Sequence, residues 1–352
     1  MVIPVHDARR EIGRAVNSVL DHNSAAVRVT VVCHNIDAEK IRSRLSGSLR
    51  DPRLRFLSLA DGIRSPSGPF NLGLDHATGA FTSVMGSDDE LEPGAVDSWL
   101  ALARRDGAAV VIPRLRHAGG LAVPTPPVRP LRRSRLDGVR DRLSYRSAPL
   151  GLVSTQVFGA DRFPTNLGSG EDVAYVTGLW FSNQRISFDR TGPAYLIHAD
   201  APERVTIVPK PVAADMAFLR DLLEDTRFQR LGRPQRDSVV VKLLRVHIFG
   251  AVANRPDSGQ WTREDREQLA EMTSTCLTLA PTARRVLSRT DDALVAAIQD
   301  VESPVAELLA LSRLRRRLVH PNRLLPSDVR AVFAVEAPLR QMVASAIVRG
   351  LR

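Results

Sequence analysis

The residues of this chain best suited to chemistry are acids at two places. The first group is Asp88-Asp89-Glu90, which closes the run Ala80-Phe81-Thr82-Ser83-Val84-Met85-Gly86-Ser87. That run is short, largely apolar and β-prone; it follows Ala77-Thr78-Gly79 and leads to Pro93, which opens an amphipathic stretch. Acids at the C-terminal end of a strand in an α/β protein lie where ligands bind. Carboxylates there suit a hard divalent cation, which neutralises phosphate charge. The same acids also suit the N-terminus of the following helix. These residues alone leave both readings open. The second group is Glu171-Asp172, at the mouth of a helical run through Val173, Tyr175, Leu179 and Trp180. By itself it is an N-cap pattern. A lone His198 follows the apolar run Ala194-Tyr195-Leu196-Ile197. A histidine after a strand is more often a hydrogen-bonded structural residue than a ligand.

The elements that must position these groups alternate. Val2-Ile3-Pro4-Val5 reads as a strand end, with a polar turn at His6-Asp7. Ile12, Ala15, Val16, Val19 and Leu20 recur at helical spacing. Val27 to Cys33 is β-branched, as a strand buried on both faces should be. A helix over Ala38 to Leu45 and a strand over Leu54 to Leu57 follow. Then come a Gly/Pro/Ser loop from Asp61 to Pro69 and a short helix from Asn71 to His76. Beyond the acidic turn, Ala95 to Ala103 reads as helix and Ala108 to Ile112 as strand. Ile186 to Phe188 and Ala194 to Ile197 read as strands. Such alternation implies a parallel, doubly wound sheet. After Pro209-Lys210-Pro211, a linker by composition, the strand signals vanish. Helical periodicity covers 214–231, 237–253, 262–279, 291–301, 304–318 and 327–348. Thr262-Arg263-Glu264-Asp265 has nearly the capping-box form.

At 352 residues, one large domain plus a smaller one is expected. The net charge of +10 is carried almost wholly by Arg, since Lys occurs only at Lys40, Lys210 and Lys242. That balance favours an anionic partner. Cys33 and Cys276 are far apart and have no Cys or His at metal-ligand spacing, so neither a zinc cluster nor a disulfide framework is expected. No signal peptide or membrane span is expected, because charges and Pro4 interrupt the apolar runs. The expected setting is the cytoplasm, with peripheral contact to anionic membrane at its inner face as the second setting. Residues 119–147 carry Pro124, Pro126, Pro127 and Pro130, with Arg129, Arg132, Arg133, Arg135, Arg140, Arg142 and Arg146. The simple reading is a solvated excursion. The functional one is a basic lip for an anionic acceptor or membrane. Tyr145 is its one aromatic, so stacking on nucleic-acid bases is not expected. A second basic cluster, at Arg313, Arg315, Arg316 and Arg317, reads as a solvated face or a docking site for anionic lipid.

In order, Ile3-Pro4-Val5-His6, Val31-Val32, Asn71-Leu72-Gly73-Leu74, Ala77-Thr78-Gly79, Ser87-Asp88-Asp89 and Pro93 resemble the family 2 glycosyltransferases. Members of that family have the GT-A fold of nucleotide-diphospho-sugar transferases. The resemblance runs from Val2 to about Val208. It implies a mainly parallel GT-A domain over 1–208 and an all-helical domain over 209–352. It implies that Asp88 and Asp89 hold Mn²⁺ or Mg²⁺ on the diphosphate, with His198 as a further metal or diphosphate ligand. Donor binding falls to Pro4, Val5, His6, His34, Asn71, Ser87 and Asp88. Family members carry a Glu-Asp pair where Glu171 and Asp172 stand, so Asp172 becomes the general base, with Glu171 orienting acceptor or base. The implied reaction is inverting transfer of a sugar to a cell-envelope glycan or an anionic wall polymer such as teichoic acid. Three positions depart from the family pattern. Gly86 stands where an Asp usually opens the acidic turn, Cys33-His34 where an Asp pair follows the second strand, and Phe70 where an Arg is usual. They make a catalytically inactive GT-A scaffold the alternative expectation.

Overall fold

The computed structural model describes residues 1–45, 47–123, 127–198, 210–317 and 320–350. Strands β1 (Val2–Val5), β2 (Val29–His34) and β3 (Leu54–Leu59) pair side by side, all parallel. Every residue of β2 is buried, as its β-branched composition requires. Helix α1 (Ile12–Leu20) packs Ile12, Ala15, Val16, Val19 and Leu20 into the core. Each large aliphatic side chain buried there contributes roughly 1.5–3 kcal/mol. Helices α2 (Ala38–Arg42) and α3 (Ser67–Asp75) complete the crossovers.

The run before the acidic turn is only briefly a strand, β4 (Phe81–Thr82). Its chain then lies along β1, with Val2 N donating to Ser83 O (2.8 Å) and Met85 N donating to Val2 O (3.0 Å). Those bonds join the first sheet to a second. After β5 (Glu90–Leu91) and α4 (Ala95–Asp106) comes β6 (Val110–Pro113). Then follow β7 (Leu115–His117), β8 (Ala122–Val123), β9 (Leu152–Ser154), α5 (Thr155–Phe158) and α6 (Asp172–Trp180). Strands β10 (Ile186–Asp189) and β11 (Tyr195–Ile197) close this half. The second sheet has the order β10-β6-β9-β4, and β9 runs antiparallel to both neighbours. A small third sheet, β5-β11-β7-β8, carries the acidic turn's exit.

From residue 210 on, named elements among the described residues are helical. They begin with α7 (Val212–Asp215), α8 (Phe218–Glu224), α9 (Thr226–Gln229) and α10 (Arg233–Lys242). The expected single helix over 214–231 is broken because Asp225 caps a new turn, its Oδ1 accepting from Arg227 N (2.7 Å). After α10 the chain makes a π-type turn over Leu243–Ile248, then helix Phe249–Ala253. The capping box forms at Arg263–Leu279, where Thr262 Oγ1 accepts from Asp265 N (3.0 Å) and Asp265 Oδ2 accepts from Thr262 N (3.3 Å). The expected helix over 327–348 starts only at Pro338, after a 3₁₀ turn at Val329–Ala331 capped by Asp328.

The expected domain boundary at 208/209 lies outside the described residues. One apolar cluster runs from Val2 and Val32 through Tyr175 and Leu179 to Leu244, Phe249, Leu294 and Leu308. The helices therefore share the sheet's core. No described helix is long and apolar enough to cross a membrane.

The segment 119–147 is less solvated than its composition suggests. Arg129 reaches the fully buried Asp141 with two bonds, Nε to Oδ1 (2.8 Å) and Nη2 to Oδ2 (2.7 Å). Arg142 is buried and donates to Val335 O and Pro127 O, and Arg146 is buried as well. Arg132, Arg133, Arg135 and Arg140 are exposed. Pro124 and Pro126 lie outside the described residues. Arg315, expected on a solvated face, pairs with Asp291 (2.7 Å) and lies over the Phe249 ring.

Candidate active site

The acidic turn is built on a missing side chain. A Cβ on Gly86 would lie 2.6 Å from Asp89 Oδ2 and 3.3 Å from Asp88 Oδ1. The two carboxylates fold back over this glycine, so any side chain at 86 would have to push the Asp89 carboxylate aside. Asp89 Oδ2 accepts from the Tyr195 hydroxyl (2.5 Å), and Asp89 Oδ1 from His198 N (3.2 Å). Burial raises the Asp89 carboxyl above its ordinary range, against the Tyr195 bond, which lowers it. Tyr195 in turn accepts from Gly86 N (3.0 Å). Strand β11 thus fixes the turn from its C-terminal side.

From the other side the start of α1 brings two guanidinium groups. Arg10 Nη1 donates to Asp88 Oδ1 (2.9 Å), and Arg14 donates to Asp88 O. The His198 imidazole places Nε2 3.1 Å from Glu90 Oε2, and its charge also reaches Asp89. As a third metal ligand it would use Nδ1, with Glu90 holding the ring through Nε2. Among the described residues no three His, Cys, Asp or Glu side chains converge as a complete metal cage. Two carboxylates nonetheless fit a cation completed by substrate phosphates and water, the usual arrangement for Mg²⁺ at phosphates. The closing segment after His198, from Ala199 to Pro209, lies outside the described residues.

The parallel register of β2 and β3 sets His34 opposite Leu59, so the loops leaving both strands meet. His34 is buried and its Nε2 donates to Asp61 Oδ1 (2.8 Å), which fixes the proton on that nitrogen. Asn35 Nδ2 donates to Asp61 Oδ1 (3.2 Å) and its Oδ1 accepts from Gly62 N (2.9 Å). Burial alone would raise Asp61, but donors from Ile63 N, His34 and Asn35 outweigh it and hold the carboxyl low. The acid absent after β2 is therefore supplied after β3. His6 stands exposed at the end of β1, its pKa lowered by burial of the ring and by Arg10. Val5 is in the core and Ser87 is buried; Pro4 is half-buried.

Asn71 has a different engagement. Its Nδ2 donates to Phe163 O (2.9 Å) and its Oδ1 accepts from Phe163 N (2.9 Å). It ties α3 to the loop that leads to Glu171. Phe70 stacks on Phe163, which stacks on Tyr175 of α6. Phe70 thus packs where the family pattern has an Arg. Gly170, at φ +72°, lets the chain turn into α6 with the Phe218 ring against it.

Asp172 opens α6 and Glu171 precedes it. Asp172 is half-open by area, yet closely surrounded on its other sides. Burial pushes its carboxyl up to about 7, Lys242 opposing and Glu171 adding. Burial also raises Glu171, with Lys210 opposing. No side chain among the described residues hydrogen-bonds to the Asp172 carboxylate. A carboxyl with that pKa exchanges protons near neutrality, as a general base must.

Residues 1–155 match the family model Glycosyl transferase family 2. The chain carries a family 2 glycosyltransferase domain. Over 114 residues it is 30% identical to the succinoglycan biosynthesis protein ExoO of Rhizobium meliloti (strain 1021), covering 32% of each protein. The chain thus spans about a third of that curated relative's length. Crystal structures of S. aureus TarS 1-349 resemble the fold across the family 2 domain and the helices beyond it. The complex with UDP-GlcNAc superposes with a TM-score of 0.70 at 15% identity, over 90% of each chain. The structure without a named ligand gives 0.67 over the same shares. These likenesses establish the GT-A fold and its continuation into helices.

The sequence alone did not single out Arg10, Arg14, Asp61, Tyr195 or Lys242. Asp61 had one legible signal: β2 and β3 are parallel strands of similar length, so the acid after the second lies beside the polar turn after the first. Lys242 also had one, as the sole Lys inside the apolar run Val239 to Phe249.

Proposed function

We propose that this protein is a metal-dependent, inverting glycosyltransferase that takes a sugar from a nucleotide-diphospho-sugar. The observation that carries the reading is the pair of carboxylates, Asp88 and Asp89, folded over Gly86 in a family 2 domain. Asp88 and Asp89 hold Mn²⁺ or Mg²⁺, which when bound supplies positive charge to the diphosphate leaving group. Arg10 and Arg14 lie where they add charge on the same side. Asp172 accepts the proton of the acceptor hydroxyl. The freed oxygen forms a bond to the anomeric carbon from the face opposite the diphosphate. The bond from that carbon to the diphosphate breaks, and the nucleoside diphosphate leaves with the electron pair. Glu171 orients the acceptor.

The acceptor is a cell-envelope glycan or an anionic wall polymer such as teichoic acid. Net charge +10 and the exposed Arg132, Arg133, Arg135 and Arg140 support an anionic acceptor. The setting is cytoplasmic, at the inner face of the membrane, and no nucleic acid is involved. UDP-GlcNAc heads the donor panel because S. aureus TarS was crystallised with it.

The test is a transfer assay across nucleotide sugars and envelope acceptors, with Mn²⁺ or chelator. Asp89→Asn is expected to abolish the metal dependence of nucleotide binding. Asn keeps one acceptor oxygen for His198 N, and its amide can donate to the Tyr195 oxygen, so the fold is expected to hold. Unchanged metal dependence in that variant removes Asp89 as a ligand. His34→Ala releases Asp61 and is expected to change the preference among nucleotides more than the metal affinity. An equal loss across all bases counts against a base-reading role. One observation favours a second reading, a GT-A scaffold that binds donor without turnover: Arg10 occupies Asp88. Donor binding with no transfer across the whole panel selects it.

A further inference from the structure

The helical region sends one cation toward the proposed base. Lys242 ends α10 and is 2% exposed. Its Nζ lies 2.7 Å from His247 Nε2. In a regular α-helix, residues five apart sit about 140° apart around the axis and cannot meet. Here the π-type turn closes five-residue bonds, Phe249 N donating to Leu244 O, and brings His247 round to Lys242. The His247 ring packs on Phe218, at 4.6 Å between ring centres, and Phe218 packs on Gly170 at the entrance to α6. A closed wall thus runs from the residue before Glu171 to the ammonium.

Among the described residues His247 is the one hydrogen-bond partner of Lys242, and Asp172 is the acid within its electrostatic reach. Burial lowers the Lys242 ammonium to about 8, with Asp172 opposing, so it remains charged at neutral pH. Burial and Lys242 together drive His247 well below its ordinary value, so it accepts as a neutral ring. Other charges around α6 have their own partners. Lys210 faces Glu171 and bonds Gly168 O, and Arg227 of α9 lies against Gly178 and pairs with Asp161 and Asp225.

We propose that Lys242 is a positioning residue for Asp172: fixed by His247 through the π-type turn, its ammonium keeps the carboxylate ionised. The inference rests on Asp172 being the base. It makes the helical region part of the active site, since the group that sets the charge at Asp172 comes from 70 residues further along the chain, at Lys242.

The test reads the carboxyl itself. Asp is labelled with ¹³C at the carboxyl in the full chain, and Asp172→Asn assigns the resonance. Lys242→Met is expected to raise the titration midpoint of Asp172 by about one pH unit or more, because removing a nearby cation favours the neutral acid. Lys242→Arg should keep it near the wild-type value. The acid limb of kcat/KM should move by the same amount in Lys242→Met. Should Lys242→Met not fold, His247→Phe, which removes the group that fixes the ammonium, should raise the midpoint in the same direction. An unmoved midpoint in a folded variant overturns the proposal and leaves the base reading standing. A moved midpoint with an unmoved rate profile sinks the base reading on which the proposal rests.

Discussion

Asp172→Asn is expected to lower kcat by about 10² to 10⁴ while donor affinity in the presence of Mn²⁺ stays nearly constant. The reason is timing. The acceptor proton moves in the transition state, and donor binding does not involve it. Asn keeps the size of Asp and still accepts a hydrogen bond at the mouth of α6, so a mere cap would survive the change. The pH dependence follows from the carboxyl's position at about 7. The base must be ionised, so the wild-type rate falls as pH drops through that value. Transfer by Asp172→Asn at near wild-type rate would remove Asp172 as the base.

Arg245→Met is expected to destabilise the protein by about 3–5 kcal/mol, since it leaves a buried charge without its partner. Arg245 sits in the π-type turn and is 8% exposed. Its Nη1 donates to Tyr145 Oη (2.9 Å) and Gln341 Oε1 (3.0 Å), and its Nη2 to Glu336 O (2.8 Å) and Val286 O (3.1 Å). Glu336 also accepts from Tyr145 (3.0 Å) and Ser238 (3.1 Å), so one buried knot ties 145, 238, 245, 286 and 336 together. Urea unfolding reads the change as a lower midpoint at unchanged slope. Adding Glu336→Gln should return part of the loss, because the two groups share one network. A midpoint shift equivalent to less than about 1 kcal/mol in Arg245→Met would show that the knot contributes little.

Most strands and helices through β6, and β10 and β11, were legible, because buried strands and amphipathic helices leave different apolar periods; β5, β7, β8, β9 and α5 are too short to leave one. The acidic turn was legible too, its residue types being unusual at a strand end. What the sequence could not carry was pairing. Strand β9 runs antiparallel to both β6 and β4, which its three residues do not signal. Arg129, Arg142 and Arg146 looked solvated by composition, and only the fold shows Asp141 buried beside Arg129. The helix over 214–231 was overextended because Asp225 caps as well in mid-pattern as at an end. Asn71 was placed with the donor residues by motif, and its amide also bonds the Phe163 main chain, a contact 92 positions away that no local pattern encodes.

The segment between β8 and β9 is anchored by Arg129 on Asp141 and by Arg142 on Val335 and Pro127, while Arg132, Arg133, Arg135 and Arg140 project outward between and beside those anchors. Scaffold and contact surface are thereby assigned to different residues of one stretch. Any one of the outward arginines can be exchanged without removing a bond that anchors the frame.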